Sequence, residues 1–331
     1  MQVDPQQGMP MWRPVADREM LRLRAGLLAG IRAFFNKLDV MEVETPILSH
    51  AGNPDIYIES FSSKYQWVTV AQPLYLQTSP EFAMKRLLAA GSGSIYQICK
   101  AFRNEQPGRL HNPEFTLLEW YRSGFDHHQL MQEIEQLLVF IGLLGKDESI
   151  KTVSYQSLFE NTVGLNPHVA DEQMLFQCIS DNHIQLNSRM GLEKDDLLAL
   201  ILTHVIEPSI SHEAFLMVYD YPASQASLAK IREDDYPVAE RFELYAGGIE
   251  LANGFHELTD SKEQAQRFLQ QQRKRASRDQ DKINIDQYLI DALAYGMESC
   301  AGVAMGFDRL VMVAANKPAL QEVLAFPFDR A

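Results

Sequence analysis

Residues 94–122 read SIYQICKAFRNEQPGRLHNPEFTLLEWYR. Two strand-like runs, 94–105 and 114–122, stand on either side of NEQPGRLHNP, a polar loop dense in turn formers. Side chains alternate faces along a strand, so Phe115, Leu117, Glu119 and Tyr121 share one face of the second run. Arg103 and Glu105 share a face at the end of the first. If the two faces coincide, one wall carries an arginine, two carboxylates, a phenol and an aromatic ring. A solvated sheet face accounts for any one of these residues equally well. Leu117, between Phe115 and Glu119, favours a wall that is partly apolar and concave.

Working outward, residues 1–16 are irregular, with Pro5, Pro10 and Pro14. Asp17 can cap a helix to about Leu38, with Met20, Leu23, Leu27, Leu28, Ile31 and Phe34 at helical spacing. Val40 to Leu48 reads as a strand, and 80–90 as a short helix with Pro80 in its first turn. Leu130, Ile134, Leu137, Leu138, Ile141 and Leu144 mark an amphipathic helix. Residues 150–212 read as mainly helical, with no pattern tied to chemistry. A polar helix is expected over about 261–275, then a strand to about Ala304 and a helix from near Phe307. Strands outnumber βαβ units, so the fold class is α+β: a large antiparallel sheet flanked by helices, with 17–331 as one domain.

Residues 241–255, RFELYAGGIELANGF, form a hairpin around Gly247-Gly248. With a two-residue loop Tyr245 pairs Glu250 and Glu243 pairs Ala252, which puts Glu243 and Glu250 on one face as diagonal neighbours. Asn253 then faces away from Glu250. Two adjacent carboxylates repel unless a cation or a proton lies between them, and hard oxygen ligands suit Mg²⁺ that carries phosphates. Two exposed glutamates in a surface hairpin remain the plain alternative. In the tail, AGVAMGFDRL, the side chains of Gly302, Ala304 and Gly306 share one face and leave a smooth floor for a flat ligand, although close strand packing explains the pattern too. Arg309 follows on the first turn of a helix, within reach of a phosphate.

The bulk numbers narrow the partners. The chain has 331 residues, 46% of them hydrophobic and 22% charged, which suits a full core. A formal charge of -14 disfavours a uniform grip on nucleic acid. Cys99, Cys178 and Cys300 are far apart, with no CxxC, so neither a disulfide framework nor a zinc motif is expected, and the cytosol is the simplest compartment. The first 20 residues contain no apolar signal core, and no run of 18 apolar residues occurs. His127-His128 reads as a helix start with a capping or surface role. The basic run Arg273, Lys274, Arg275 and Arg278 reads as a solvated helix end, with contact to an acceptor as the other possibility.

These pieces resemble the motifs of class II aminoacyl-tRNA synthetases. The first helix with VETPIL is similar to motif 1, AFRNE with HNPEFTLLEWY to motif 2, and GVAMGFDRL to motif 3. TSPEFAMKRL, FRNE followed by RLHNPEF, FELYAGGIELANGFHEL and QAQRF stand in the order and spacing of lysyl-tRNA synthetases. Those enzymes carry an N-terminal anticodon-binding OB-fold. Only 16 residues precede the first helix here, too few for a five-stranded barrel. The chain therefore resembles the elongation factor P lysine ligases, paralogues that lack the barrel and attach (R)-β-lysine to a lysine of that factor. SCAGVAMGFDRLVM and the TSPEF segment are similar to that group.

The resemblance implies an ATP- and Mg²⁺-dependent ligase that activates a small cationic amino acid as its adenylate. It implies elongation factor P as acceptor and a homodimer, with tRNA disfavoured and no DNA or membrane partner. Carried over, Arg103 would bind the α-phosphate and the substrate carboxylate, and Glu105 the adenine amino group. Phe115 would stack on the adenine, with Arg309 on its other face. Asn104, His111, Asn112, Leu251 and Gly306 would complete the ATP site, and Glu243 and Glu250 would hold Mg²⁺. Glu81, with Ser79 and Pro80, would join Glu119 at the amino group near the reacting carboxylate. Glu257 and Tyr121 would hold the distal ammonium, with Asn253 also on the substrate. Lysyl-tRNA synthetases have glycine where this chain has Ala304, and a methyl group on the pocket floor fits an amino group displaced by one carbon. A truncated synthetase that charges tRNA and a non-catalytic regulatory paralogue are the competing readings. The second should have lost Arg103, Arg309 or the acidic pair, and all are present.

Overall fold

The computed structural model describes residues 10–66, 72–186 and 191–331. Residues 1–9 of the expected irregular segment, and 187–190 of the expected helical stretch, lie outside the described residues. Helix α1 (Arg18–Lys37) starts where expected: Asp17 Oδ1 accepts from Met20 N at 2.8 Å, and Leu27, Ile31 and Phe34 are buried. The strand expected over 40–48 shrinks to two short pieces, β1 (Met41–Glu42) and β2 (Leu48–Ser49). Pro46 between them has no N–H to give to a ladder. Next come β3 (Ser62–Tyr65), β4 (Gln72–Leu76), α2 (Glu81–Ala89), β5 (Ile95–Phe102), β6 (Glu114–Ser123) and α3 (His127–Phe140). Arg103 and Glu105 fall beyond the end of β5, in the loop rather than in the strand.

The stretch expected to be helical contains β7 (Lys151–Ser154), α4 (Tyr155–Val163), α5 (Glu172–Asp181), α6 (Lys194–Ile201) and, after a π-helical turn, α7 (Glu207–Ser209). It is followed by β8 (Leu216–Pro222), β9 (Ile231–Arg232), β10 (Val238–Ala246) and β11 (Ile249–His256). Helix α8 (Ser261–Ser277) is capped by Asp260. After α9 (Gln287–Tyr295), for which no expectation was formed, β12 (Cys300–Gly306) leads into α10 (Phe307–Ala314).

The main sheet runs β1-β5-β6-β12-β11-β10-β8-β7, with β9 on β10; β2, β4 and β3 make a smaller sheet. The centre is antiparallel as expected, but both edge pairings, β1 with β5 and β7 with β8, are parallel. The chain arrives at each edge from a distant element rather than through a tight hairpin. One face of the sheet packs on α1, α3 and α10 through Phe35, Trp120, Leu137, Phe242 and Leu310. The opposite face is covered from two sides, by α4 to α6 around Tyr155 and Leu198, and by α2 and α9 around Met84 and Leu289. The uncovered strip between these two clusters is where the polar residues converge. No described helix is long and apolar enough to cross a membrane.

Candidate active site

Strand register builds the site floor. Gln97 pairs Glu119, Glu119 pairs Ala304, Ala304 pairs Asn253, and Asn253 pairs Glu243, a single row across β5, β6, β12, β11 and β10. Directly opposed residues point the same way, so all five share one face. The next row is Ile95, Tyr121, Gly302, Phe255 and Arg241. This corrects the expected pairing of Glu243 with Ala252. A bulge at Leu251 shifts the register, so Leu244 pairs Ala252 and Glu243 pairs Asn253. Asn253 therefore faces the site, and its Oδ1 accepts from Arg241 Nε at 3.1 Å.

At one end of the row is a buried acidic pocket. Ser79 Oγ donates to Glu119 Oε2 at 2.7 Å and accepts from Glu81 N at 3.0 Å, so the turn before α2 is tied to the floor. Pro80 holds the helix cap position between them. Tyr121 OH donates to Glu119 Oε1 at 2.7 Å. Tyr121 is thus a partner of Glu119, with its hydroxyl oxygen still able to accept from a cation. Lys85, absent from the expectations, reaches Glu81 Oε1 at 2.7 Å and Glu257 Oε2 at 2.5 Å. Its spacing of four residues from Glu81 on α2 was the available signal. Burial opposes the Lys85 charge, but Glu257 and Glu81 outweigh it and hold its pKa above the ordinary value. A Cβ on Gly302 would lie 2.3 Å from the Tyr121 ring and 2.5 Å from Glu257 Oε1, so only glycine fits beneath this pocket.

Three carboxylates, Glu81, Glu119 and Glu257, thus surround one ammonium. The mismatch is visible in their protonation. Burial pushes Glu119 up to about 7, with Glu81 adding to the shift and Ser79, Tyr121 and Lys85 opposing it. Burial pushes Glu257 up to about 8 against the pull of Lys85, with Glu81 and Glu119 adding. A further cation entering the pocket would remove this strain. A cavity of about 580 Å³ shares Ser79, Pro80 and Glu81 with the pocket and opens toward Pro46, Gly52 and Tyr288.

At the other end lie Glu243, Glu250 and Glu207. Glu243 Oε2 accepts from Tyr221 OH at 2.7 Å and Tyr245 OH at 2.5 Å, and Oε1 is bound by Arg241. The Glu250 carboxylate has no hydrogen-bond partner among the described residues. Burial raises its pKa, Glu243 adds to this, and Arg309, Arg241 and Arg103 oppose it. Glu207, in the helical stretch to which no chemistry had been tied, is pushed up to about 7 by burial and then by Glu250 and Glu243. Glu207 stands in the apolar stretch LLALILTHVIEPSI, which reads as helix core and gives no sign that its one acid faces the site. Glu250, with a free carboxylate beside two others, fits Mg²⁺; Glu243 is largely satisfied by internal donors.

Between the ends stand the two arginines. The Nε of Arg103 is buried with no hydrogen-bond partner among the described residues, and its guanidinium lies 5.2 Å from the Phe115 ring centroid. Arg309 is fixed by two backbone oxygens, of Glu250 at 2.7 Å and Leu110 at 3.2 Å, and lies 3.1 Å from His111 Nε2. Burial lowers the His111 pKa, and Arg309 and Arg103 lower it further against Glu105, which leaves a neutral ring for Arg309. Asn104 and Glu105 are exposed at the loop. Asn112 is engaged at both ends of its amide, Nδ2 with Glu114 O at 2.6 Å and Oδ1 with Phe328 N at 3.0 Å, so it ties the loop to the tail. Leu251 is the buried bulge residue. A Cβ on Gly306 would meet only Arg309, 3.7 Å away, so packing does not demand glycine there.

The basic run is not a free patch. Arg275 is buried, with Nε on Asp281 O at 2.8 Å and a guanidinium nitrogen 2.7 Å from Glu59; Arg278 pairs Asp196 and Lys274 pairs Glu193. These pairs hold α8 against α6 and the segment before β3; the expected solvated helix end fails for the buried Arg275, while Arg273 and Arg278 are exposed as expected.

Residues 7–330 match the model of the class II tRNA synthetases (D, K and N). The chain is 48% identical over 322 residues to a protein of Salmonella gallinarum (strain 287/91 / NCTC 13346) named elongation factor P–(R)-beta-lysine ligase, covering 97% of this chain and 98% of that one. Proteins of the same name from Salmonella dublin and Salmonella paratyphi B (strain ATCC BAA-1250 / SPB7) are each 47% identical over the same shares. With a match across nearly the whole chain and relatives at this identity, the chain belongs to the class II tRNA synthetase family.

Proposed function

We propose that this protein activates (R)-β-lysine, or a closely similar diamino acid, with ATP and transfers it to the ε-amine of a lysine on elongation factor P. The observation that carries the substrate class is the pocket of Glu81, Glu119 and Glu257 around Lys85, which holds more buried negative charge than its own lysine neutralises. The names of the relatives supply the acceptor and the β-amino acid. Membership of the family implies ATP.

The substrate carboxylate lies on Arg103, whose unpartnered Nε suits a planar anion. Its oxygen attacks the α-phosphorus in line, the P–O bond to pyrophosphate breaks, and a mixed anhydride forms. Arg103 and the backbone-fixed Arg309 stabilise the charge that develops on the phosphates, with no reorganisation at the moment of reaction. Phe115 offers a face to the adenine, and Glu105 an acceptor to its amino group. Glu250, with Glu207 and the remaining capacity of Glu243, would hold Mg²⁺, which neutralises phosphate charge when bound. The substrate's ammonium groups would supply the counter-charge that favours the ionised forms of Glu119 and Glu257, whose pKa values burial raises in the free pocket. The acceptor lysine, deprotonated, then attacks the anhydride carbonyl; an amide forms and AMP leaves. No enzyme-bound covalent intermediate is required.

Residues 17–331 act as one catalytic domain. We place it in the cytosol, which suits its three free cysteines, and in a two-fold dimer, since Leu21, Met41, Ile47 and Leu48 of the first helix and its following segment are exposed apolar residues. Light scattering at micromolar concentration reads this directly, and a monomer would contradict it. Pyrophosphate exchange with a panel of amino acids tests the activation step. Exchange is expected with β-lysine above α-lysine and with no neutral amino acid; equal exchange with leucine would overturn the proposal.

A further inference from the structure

On the sheet face opposite the proposed catalytic residues, three side chains from three elements converge. His127 opens α3, Glu240 lies on β10 and His256 ends β11, and one ligand atom from each lies within 4.8 Å of the others. His127 is 2% exposed; its Nδ1 has no hydrogen-bond partner among the described residues, and its Nε2 meets only Asp220 Oδ1, 3.4 Å away. This corrects the capping or surface role expected from sequence. Asp126 is the cap, its Oδ1 accepting from Gln129 N at 2.8 Å. A buried imidazole with one nitrogen unsatisfied and the other held by a long contact costs stability unless something fills the space beside it.

The surroundings aim these atoms at one point. Arg232 occupies the outer oxygens, with NH2 2.7 Å from Asp220 Oδ2 and NH1 3.4 Å from Glu240 Oε1. The imidazoles face the inner oxygens, Asp220 Oδ1 lying 3.4 Å from His127 Nε2 and Glu240 Oε2 2.5 Å from His256 Nδ1, although Arg232 also lies 3.4 Å from Asp220 Oδ1 and Lys230 Nζ 4.0 Å from Glu240 Oε2. The other nitrogen of His256, Nε2, lies 2.9 Å from Ser299 Oγ, the outer contact that orients a metal-bound histidine. The backbone is bent to achieve this. Asp220 has φ 57°, in the left-handed region, and the β8–β10 register shifts between Ala239 and Phe242, around Glu240.

The geometry points to a transition-metal site formed by His127, Glu240 and His256, with Asp220 as a fourth or supporting carboxylate, of the class that binds Zn²⁺. Two imidazoles and a carboxylate are a Zn²⁺ donor set, and thiolates are not needed. To reach tetrahedral ligand spacing, His256 Nδ1 and Glu240 Oε2, now 2.5 Å apart, must open, and His127 must close on them by about 1 Å. Binding would replace the contact between His256 Nδ1 and Glu240 Oε2, with His256 Nε2 still facing Ser299 Oγ. The ion would pin the start of α3 to the ends of β10 and β11, away from the proposed chemistry.

The test uses the full protein, stripped with chelator and titrated with Co²⁺ followed by visible absorption, with Zn²⁺ in equilibrium dialysis. Glu250→Gln, on the other face, separates this ion from one at the proposed Mg²⁺ position. One ion per chain is expected for the wild type and for Glu250→Gln, with affinity at least about tenfold weaker in His127→Gln and in His256→Gln. His256 is partly exposed, so its variant decides the matter if the buried His127→Gln does not fold. Absence of stoichiometric binding, or binding unchanged in His256→Gln and lost in Glu250→Gln, would overturn the site.

Discussion

Lys85 Nζ stands 2.5 Å from Glu257 Oε2, and both side chains are 1% exposed. Removing one partner of a buried pair leaves the other charge without compensation, which costs about 3–5 kcal/mol. Lys85→Met keeps the bulk of the side chain and deletes its charge. Urea denaturation at pH 8.5 should show a loss of that order, together with uptake of a proton by the variant on folding. An unchanged midpoint would show that the pair contributes nothing to the fold.

Ala304 lies directly between Glu119 on β6 and Asn253 on β11. Its methyl group therefore sits on the floor beside Glu119, where the proposed function places the substrate's amino group. Ala304→Gly should open room for an α-amino group and move the ratio of kcat/KM from β-lysine toward α-lysine by about tenfold or more, the scale of one methyl group in a pocket. An unchanged ratio would remove Ala304 from the specificity argument.

Glu250 is the carboxylate without an internal partner, beside Glu243 and Glu207. Glu250→Gln should abolish pyrophosphate exchange at ordinary Mg²⁺ while circular dichroism shows an intact fold. Wild-type exchange in this variant would sink the assignment of Mg²⁺ to this end of the site.

Glu119 and Glu257 have pKa values raised to about 7 and about 8. For such groups the stabilising contribution is complete below the unfolded carboxylate range and is lost as pH rises through the folded value. Burial lowers the pKa of His111, His128 and His168, so these rings act in the opposite sense, on the acid side of about 6.5. Between pH 7 and 8.5 the carboxylates therefore dominate, and the Tm of the free protein should fall across that window. Saturating β-lysine, or Glu119→Gln, should flatten the fall. A wild-type Tm that rises with pH there, with or without the amino acid, would contradict the buried negative charge.

How much of this was legible in the sequence depended on whether the deciding contact was local. Asp17 before an apolar helical stripe, and Gly-Gly between two strands, announce themselves within a few residues, and both elements formed as read. Alternation placed Phe115, Glu119 and Tyr121 on one face because a strand's parity is fixed by the chain alone. The bulge at Leu251 was not visible, because nothing in IELANGF says which residue will be left unpaired. It changed the partner of Glu243 and turned Asn253 into the site. Lys85 could have been found as the fourth residue after Glu81, but its tie to Glu257 spans 172 positions (257 minus 85) and exists only in the folded chain. Glu207, Arg275 and His127 were misread or passed over for the same reason: burial of a polar side chain is decided by elements far away in sequence.

The central claim is that the activated cationic amino acid is handed to a protein lysine. Intact-mass analysis of elongation factor P after incubation with the enzyme, ATP, Mg²⁺ and β-lysine tests it most directly, with total tRNA as the parallel acceptor. One β-lysyl increment on a single lysine of the factor, with AMP released and tRNA uncharged, is the predicted result. Efficient charging of tRNA with no adduct on the factor would contradict it.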